Sequence, residues 1–157
     1  MEFFVNRPGY GNKPIKSGTS FSKEIIDRSH WRYSSVKYFP ETAIEANIEK
    51  QNYALYPRKL YVDIAIQCDV CKRMFIFFAL EQKYWFEELE FYIDAHCTRC
   101  IECRKNDQEI RFMQKRYQTL IASNERTVQE TNDLKNIALE LYQLGYIRNI
   151  NKINAIR

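Results

Sequence analysis

Residues 60–78 read Leu60-Tyr61-Val62-Asp63-Ile64-Ala65-Ile66-Gln67-Cys68-Asp69-Val70-Cys71-Lys72-Arg73-Met74-Phe75-Ile76-Phe77-Phe78. β-Branched and aromatic residues fill both ends of this segment, as is typical of strands. The pattern predicts one strand over residues 60–67 and a returning strand over residues 74–78. The turn between them contains Cys68 and Cys71, two residues apart. We therefore expect a β-hairpin that carries a pair of thiols in its turn.

All five cysteines of the chain lie in one window that begins at Cys68 and ends at Cys103. The second group, Cys97, Cys100 and Cys103, forms two overlapping C-x-x-C pairs. A two-residue gap lets a tight turn direct both sulfurs at one metal ion, and two such pairs can close a tetrahedral Cys₄ site. The spacing therefore predicts one structural Zn²⁺ held by four thiolates.

The sequence leaves two choices for the second pair of ligands. Cys100 and Cys103 are followed by two basic residues, Arg104 and Lys105, just as the first pair is followed by two basic residues. Positive charge favours the thiolate form of cysteine. We therefore favour Cys68, Cys71, Cys100 and Cys103 as the ligands. Cys97 remains the alternative ligand and is otherwise expected to be a small buried residue.

Other elements accompany the cysteines in a fixed order: Tyr61-Val62-Asp63, Phe75-Ile76-Phe77-Phe78-Ala79, Glu81-Gln82, Tyr84-Trp85-Phe86 and Arg99-Cys100-Ile101-Glu102-Cys103-Arg104. Over about 45 of the 157 residues, this order resembles the bacterial "probable zinc-ribbon domain" family. Lys72 stands where many members have glycine. The resemblance implies a zinc-bound β-hairpin and matches Cys100 and Cys103 by residue type. It implies no established activity, substrate or partner.

The rest of the chain suggests three parts. Residues 1–29 are rich in turn-forming residues without apolar periodicity, which predicts a flexible basic tail. Residues 30–105 form the predicted zinc-ribbon domain, whose aromatic first part wraps over the hairpin and includes a short helix over residues 41–50. A second helix, over residues 80–89, is expected to pack on the same domain.

Residues 106–157 form the third part, a C-terminal helical extension. Two apolar stripes recur here at helical spacing: Ile110, Met113, Tyr117, Leu120 and Ile121, then Leu134, Ile137, Ala138, Leu141 and Leu144. Gly145 suits the end of the second helix. The pattern predicts a helical pair whose stripes are core, with an interface as the alternative, and a small α+β fold for the whole chain.

The charge distribution bears on the class of partner. Residues 65–103 carry 4 basic and 7 acidic side chains, whereas residues 104–157 carry 10 basic and 6 acidic ones. An acidic metal module repels phosphate, so contact with nucleic acid should come from the basic flanks. We expect a protein-interaction or scaffold module with an unidentified protein partner. An RNA- or DNA-associated protein is the alternative.

Nothing in the sequence indicates catalysis. A Cys₄ site has no open position for a water molecule, so Glu81 is expected to be structural, and no common catalytic motif is present. We therefore expect no enzyme activity and no small-molecule substrate. Reduced clustered cysteines, together with the absence of a signal peptide or a long apolar run, favour a cytoplasmic protein without membrane contact.

Overall fold

The computed structural model describes residues 3–157, which divide into two units, Met1–Cys103 and Arg104–Arg157. Strands and helices occur together, which confirms the predicted small α+β class. Each unit has a core of its own. The predicted division into parts at residues 29 and 105 stays a prediction.

A three-stranded antiparallel sheet forms the centre of the first unit. Its strands are β1 (Lys37–Glu45), β2 (Leu60–Gln67) and β3 (Met74–Phe77), in the order β1-β2-β3. Strand β2 takes the middle position, and its first six residues are buried, including the carboxylate of Asp63. Gln67 pairs with Met74, so the predicted hairpin around the first cysteine pair is confirmed.

Strand β1 replaces the short helix expected over residues 41–50, and that prediction was wrong. Ile44 and Ile48 are spaced for a helix, but Ile44 pairs with Tyr61 in the sheet, and only a 3₁₀ turn forms at Ile48–Lys50. The register of β1 shifts between Phe39 and Ile44. This irregularity accommodates Pro40, which has no N–H to donate to a neighbouring strand.

The described part of the segment 1–29 packs on the sheet, which differs from the flexible tail that was expected. Helix α1 (Lys23–Ser29) begins after Ser22, whose side chain accepts a hydrogen bond from the Ile25 N–H. Val5 and Ile26 are buried in the same core as β2 and β3. These contacts join residues far apart in sequence, so local turn chemistry did not reveal them.

Helix α2 (Ala79–Lys83) continues directly into a π-helical turn, Tyr84–Glu88, close to the helix expected over residues 80–89. Gln82 is completely buried, and its Nε2 donates to the carbonyls of Val62 and Phe77 at 2.7 and 2.9 Å. This side chain therefore fixes the helix against two strands of the sheet.

The second unit contains most of helix α3 (Ile101–Ala122), together with α4 (Val128–Gln143) and α5 (Ile150–Asn154). Thr127 and Glu130 form a capping box at the start of α4, and Gly145 follows its end with a φ of +88°. The core consists of Leu120, Leu134, Ala138 and Ile156, with Tyr117, Ile147 and Ile153 packed against it. Most residues of the predicted stripes are buried or half-buried, as expected of a core, whereas Ile121 and Leu144 are exposed. Within the described residues, none of the helices has both the length and the apolar character that a membrane span requires.

Asp63 links the N-terminal segment to the sheet and to α2, and it gives the first prediction. Its Oδ1 accepts from the Ala79 N–H at 2.7 Å and its Oδ2 from the Ile15 N–H at 2.8 Å. Burial raises the pKa of Asp63 from 3.8 to about 6, against the opposing effect of these two hydrogen bonds. The contribution of Asp63 to the free energy of unfolding is therefore complete below pH 3.8, and it is lost as the pH rises through 6.

We expect the free energy of unfolding of the wild type, measured relative to Asp63→Asn, to fall by on the order of 1 kcal/mol between pH 5 and pH 7. Urea unfolding of both proteins at several pH values measures this difference. A difference that is constant or rises with pH would contradict the assignment.

Candidate metal centre

Four thiols meet in the first unit. The Sγ atoms of Cys68, Cys71, Cys100 and Cys103 all lie within 4.8 Å of one another. Cys68 and Cys100 are buried, and the other two are partly exposed. These are the four residues favoured from the sequence, and Cys97 lies outside the group. Their role as ligands stays a prediction.

The first pair lies in the turn between β2 and β3. The Cys68 N–H donates to the Arg73 carbonyl at 2.9 Å, and the Lys72 N–H donates to the Cys68 carbonyl at 3.0 Å. These two bonds close the turn and hold both thiols on a short, constrained loop. The Asp69 N–H also donates to the Thr98 carbonyl at 3.0 Å, which brings the second cysteine segment alongside the first.

The second pair lies at the start of helix α3. Cys100 directly precedes the first helical residue, Ile101, and Cys103 is in the first turn. In that turn the helical N–H groups have no partner inside the helix, and the positive end of the helix dipole favours negative charge. A helix start is therefore a favourable place for two thiolates.

The spacing of the sulfurs fits a tetrahedral metal ion. A regular tetrahedron with Zn–S bonds of about 2.3 Å places its sulfurs about 3.8 Å apart. Cys71 Sγ and Cys100 Sγ are 3.8 Å apart, and every other pair of the four sulfurs lies within 4.8 Å. All four donors are soft sulfur atoms, which Zn²⁺ accepts and Mg²⁺ or Ca²⁺ does not prefer. The residues present therefore fit a Cys₄-bound ion.

Hydrogen bonds stabilise negative charge on the first pair. Burial raises the pKa of the Cys68 thiol, but backbone N–H groups, that of Cys100 first, outweigh it and lower the pKa to about 6. The Cys100 N–H lies 3.4 Å from Cys68 Sγ. Arg73 Nε donates to Cys71 Sγ at 3.4 Å and lowers the pKa of Cys71. The basic residue expected to favour the thiolate thus contacts a sulfur directly.

The second pair requires a further positive charge. Burial raises the pKa of Cys100, and burial together with the neighbouring thiols raises the pKa of Cys103 to about 12. Without a cation, four thiols this close do not all ionise at neutral pH. A divalent ion supplies the charge that makes four thiolates compatible, so metal binding and thiol ionisation are coupled.

Glu102 has a role that its position in the sequence did not reveal. In the structure Glu102 forms an ion pair with Arg73, the residue that also donates to Cys71. Arg73 therefore connects the two halves of the site. Since the two residues lie 29 positions apart, no local motif indicates this contact.

Cys97, the alternative ligand, and both histidines lie outside the four-thiol group. Cys97 is 4% exposed, as expected of a small buried residue, and its Sγ donates to the Arg99 carbonyl at 3.2 Å. His30 is buried and its Nδ1 accepts from the Arg32 N–H at 3.2 Å, consistent with a core histidine. His96 is exposed.

Lys72 gives a prediction about the turn between the first two ligands and β3. Its φ of +64° lies in the left-handed region, which is costly for a residue with a Cβ and natural for glycine. We expect Lys72→Gly to raise the free energy of unfolding of the metal-bound protein by about 0–1 kcal/mol. Lys72→Ala is the matched control, because it removes the same charge and keeps the unfavourable φ. Equal unfolding midpoints for the two variants would contradict the prediction.

Comparison with known proteins supports a metal-binding domain in the same place. Residues 62–111 match a family model described as "Probable treble clef domain". No curated protein and no solved structure matches the chain. The zinc-ribbon name is not supported, since the second cysteine pair lies at a helix start instead of in a second hairpin turn. Residues 62–111 are therefore similar to a treble-clef domain, and four of the cysteines in this range lie where they could hold one metal ion.

Proposed function

We propose that this protein is a structural zinc module, with Cys68, Cys71, Cys100 and Cys103 as ligands of one Zn²⁺, and that it acts by binding a protein partner. The observation that carries the structural role is the convergence of four thiols from two distant segments. The ion would join the β2–β3 turn to the start of α3. Its binding energy would then become folding energy of the unit.

The same donor set argues against catalysis. Four thiolates fill a tetrahedral ion and leave no position for a water molecule or a substrate. Glu81 has a structural environment, because it is 2% exposed and its Oε2 lies 3.1 Å from both Arg7 Nε and Arg7 Nη2. This ion pair holds the N-terminal segment on the first turn of α2.

Exposed apolar side chains support a protein partner. In the second unit Phe112 is 72% exposed and Val128 is 81% exposed, although both lie within helices. In the first unit Leu55 and Tyr56 are 79% and 70% exposed. Leu55 and Tyr56 are also neighbours in sequence, and adjacent exposed apolar residues mark interaction surfaces more often than isolated ones do. Phe112 also lines a concavity with Met113 and the charged residues Lys105, Glu109 and Glu140, a mixture suited to a protein surface.

One observation favours the second candidate, binding to single-stranded nucleic acid. The Arg32 guanidinium lies 4.5 Å from the ring of Trp31, and that ring is 55% exposed. An exposed aromatic ring beside a cation is a stacking site for a base. The basic excess of residues 104–157 would add attraction to phosphates.

Affinity capture from the source cells, with and without nuclease, separates the two candidates. The tagged wild type is compared with Phe112→Asp and Trp31→Ala, each first shown to retain one zinc per chain. We expect the captured protein to survive nuclease and to be lost with Phe112→Asp. Capture that disappears with nuclease and with Trp31→Ala, and that persists with Phe112→Asp, would favour nucleic acid and contradict the protein-partner proposal.

A third prediction tests the structural role of Glu81. Glu81→Gln removes the charge that pairs with Arg7, and we expect a loss of about 1–2 kcal/mol in the free energy of unfolding with zinc retained. Neither protein should hydrolyse generic ester, phosphodiester or peptide substrates. Zinc-dependent turnover in the wild type that Glu81→Gln abolishes would contradict both the closed site and the non-enzymatic role.

A further inference from the structure

A cavity separate from the four-thiol site lies on the β2–β3 side of the first unit. Its volume is about 360 Å³, at the small end of the range of about 300–1,000 Å³ that is usual for ligand sites. Its apolar walls include Val36, Ile64, Ile66 and Phe77. Two arginines, Arg32 and Arg58, line the same space. The cavity therefore has mainly apolar walls and two positively charged side chains.

Arg58 is the less expected of the two arginines. It is 1% exposed, and it forms no ion pair with any carboxylate of residues 3–157. Its Nε and Nη2 donate to the carbonyls of Ile93 and Ala95 at 3.0 and 3.3 Å, and its guanidinium lies 4.5 Å from the centre of the Phe86 ring. Neutral carbonyls and an aromatic face reduce the cost of burying this cation but do not balance its charge.

Arg32 adds a second cation with unused hydrogen-bonding capacity. Its Nη2 donates to the Asp94 carbonyl at 2.8 Å, while its Nε is buried and has no hydrogen-bond partner among the described residues. Burial and then the charge of Arg58 lower the pKa of Arg32. Two guanidiniums that repel each other across one cavity would both be stabilised by a shared anion.

The other polar groups around the cavity offset only part of the positive charge of the two arginines. The Cys97 Sγ donates to the Arg99 carbonyl at 3.2 Å. The Asp94 carboxylate accepts from Trp31 Nε1 at 3.0 Å and lies 3.4 Å from His30 Nε2, and its charge offsets part of the lowering of the Arg32 pKa. Among the described residues that line the cavity, Asp69 is the one carboxylate, and it is exposed. It forms no ion pair with either arginine.

We propose that this cavity binds a small organic carboxylate. The carboxylate would accept hydrogen bonds from Arg32 and Arg58, because a guanidinium matches the geometry of a carboxylate. The apolar body would pack against Val36, Ile66 and Phe77. Mainly apolar walls and the nearby Asp69 disfavour a doubly charged inorganic phosphate. This ligand site does not depend on the proposed binding of a protein partner. The site would bind a small molecule without converting it to a product.

Benzoate is the probe, and benzamide is its neutral isostere. Both are titrated, in the millimolar range, into zinc-loaded ¹⁵N-labelled full-length protein, with inorganic phosphate as a third arm. We expect saturable shifts for benzoate at the Cys97 and Thr98 amides and at the Arg58 Nε–H. Benzamide and phosphate should bind at least ten-fold more weakly, since a hydrogen bond to a charged group contributes about 1.5–3 kcal/mol.

Variants connect the binding to the two arginines. Arg32→Gln should weaken benzoate binding about ten-fold, and Arg58→Gln should do so at least as strongly if it folds. Arg28→Gln is the matched control, because Arg28 is an exposed residue of α1 that pairs with Glu24 and does not line the cavity, and it should leave the affinity unchanged. Absence of saturable shifts, equal responses to benzoate and benzamide, stronger binding of phosphate, or an unchanged affinity in Arg32→Gln would each overturn the proposal.

Discussion

Serine at Cys68 or Cys71 is expected to abolish metal binding and to unfold the Met1–Cys103 unit. Each change removes one of four soft donors from an ion whose binding contributes about 10–16 kcal/mol in small structural zinc sites. That contribution is as large as the whole stability of an ordinary domain, about 5–15 kcal/mol. Zinc content by elemental analysis should fall from one ion per chain to near zero. Tryptophan emission should shift to longer wavelength, since both tryptophans, Trp31 and Trp85, lie in this unit.

Cys97→Ser is the matched control for the cysteine series. It makes the same Cys-to-Ser change at a thiol that is close in sequence to Cys100 and Cys103 but lies outside the four-thiol group. We expect zinc to remain bound and the unfolding midpoint to fall only slightly, because the Cys97 Sγ hydrogen bond to the Arg99 carbonyl is available to a hydroxyl. If Cys97→Ser loses zinc while Cys103→Ser keeps it, the assignment of the second ligand pair is wrong.

The parts of this fold that follow from sequence are those that short-range patterns determine. Leu60–Gln67 is recognisable as a strand because β-branched and aromatic residues fill it, and Cys68 and Cys71 mark its turn. The apolar stripes around Leu120 and Leu134 likewise predict helices, since the spacing of core residues repeats within each helix. Matching basic neighbours favoured Cys68, Cys71, Cys100 and Cys103, whose sulfurs do lie close together, and their role as ligands stays a prediction.

The parts that sequence did not reveal depend on contacts between distant residues. Ile15 has no local feature that identifies Asp63 as its partner, although their hydrogen bond spans 48 positions. Arg58 looks like any surface arginine, yet it is buried against carbonyls 35 and 37 positions away. The spacing of Ile44 and Ile48 predicted a helix. That spacing gives no indication that Ile44 pairs with Tyr61 in the sheet. Tertiary context, not propensity, determined each of these outcomes.

Removal of the metal is expected to unfold one unit and leave the other. A strong chelator at neutral pH should shift the emission of Trp85, whose ring packs 4.7 Å from that of Phe77, and should abolish its near-ultraviolet circular dichroism signal. The far-ultraviolet helical signal should persist in large part. It comes mainly from the Arg104–Arg157 unit, whose core of Leu120, Leu134, Ala138 and Ile156 contains no cysteine. Added Zn²⁺ should restore the tryptophan signal.

Leu134→Ala provides the opposite perturbation. Leu134 is completely buried in the helical core, so truncation should lower the free energy of unfolding of that unit by about 2–5 kcal/mol. Zinc content and tryptophan emission should not change, because the four thiols belong to the other unit. Chelation and Leu134→Ala should therefore affect different signals. Loss of the helical signal upon chelation, or loss of zinc in Leu134→Ala, would show instead that the two units unfold together and that the ion stabilises the whole chain.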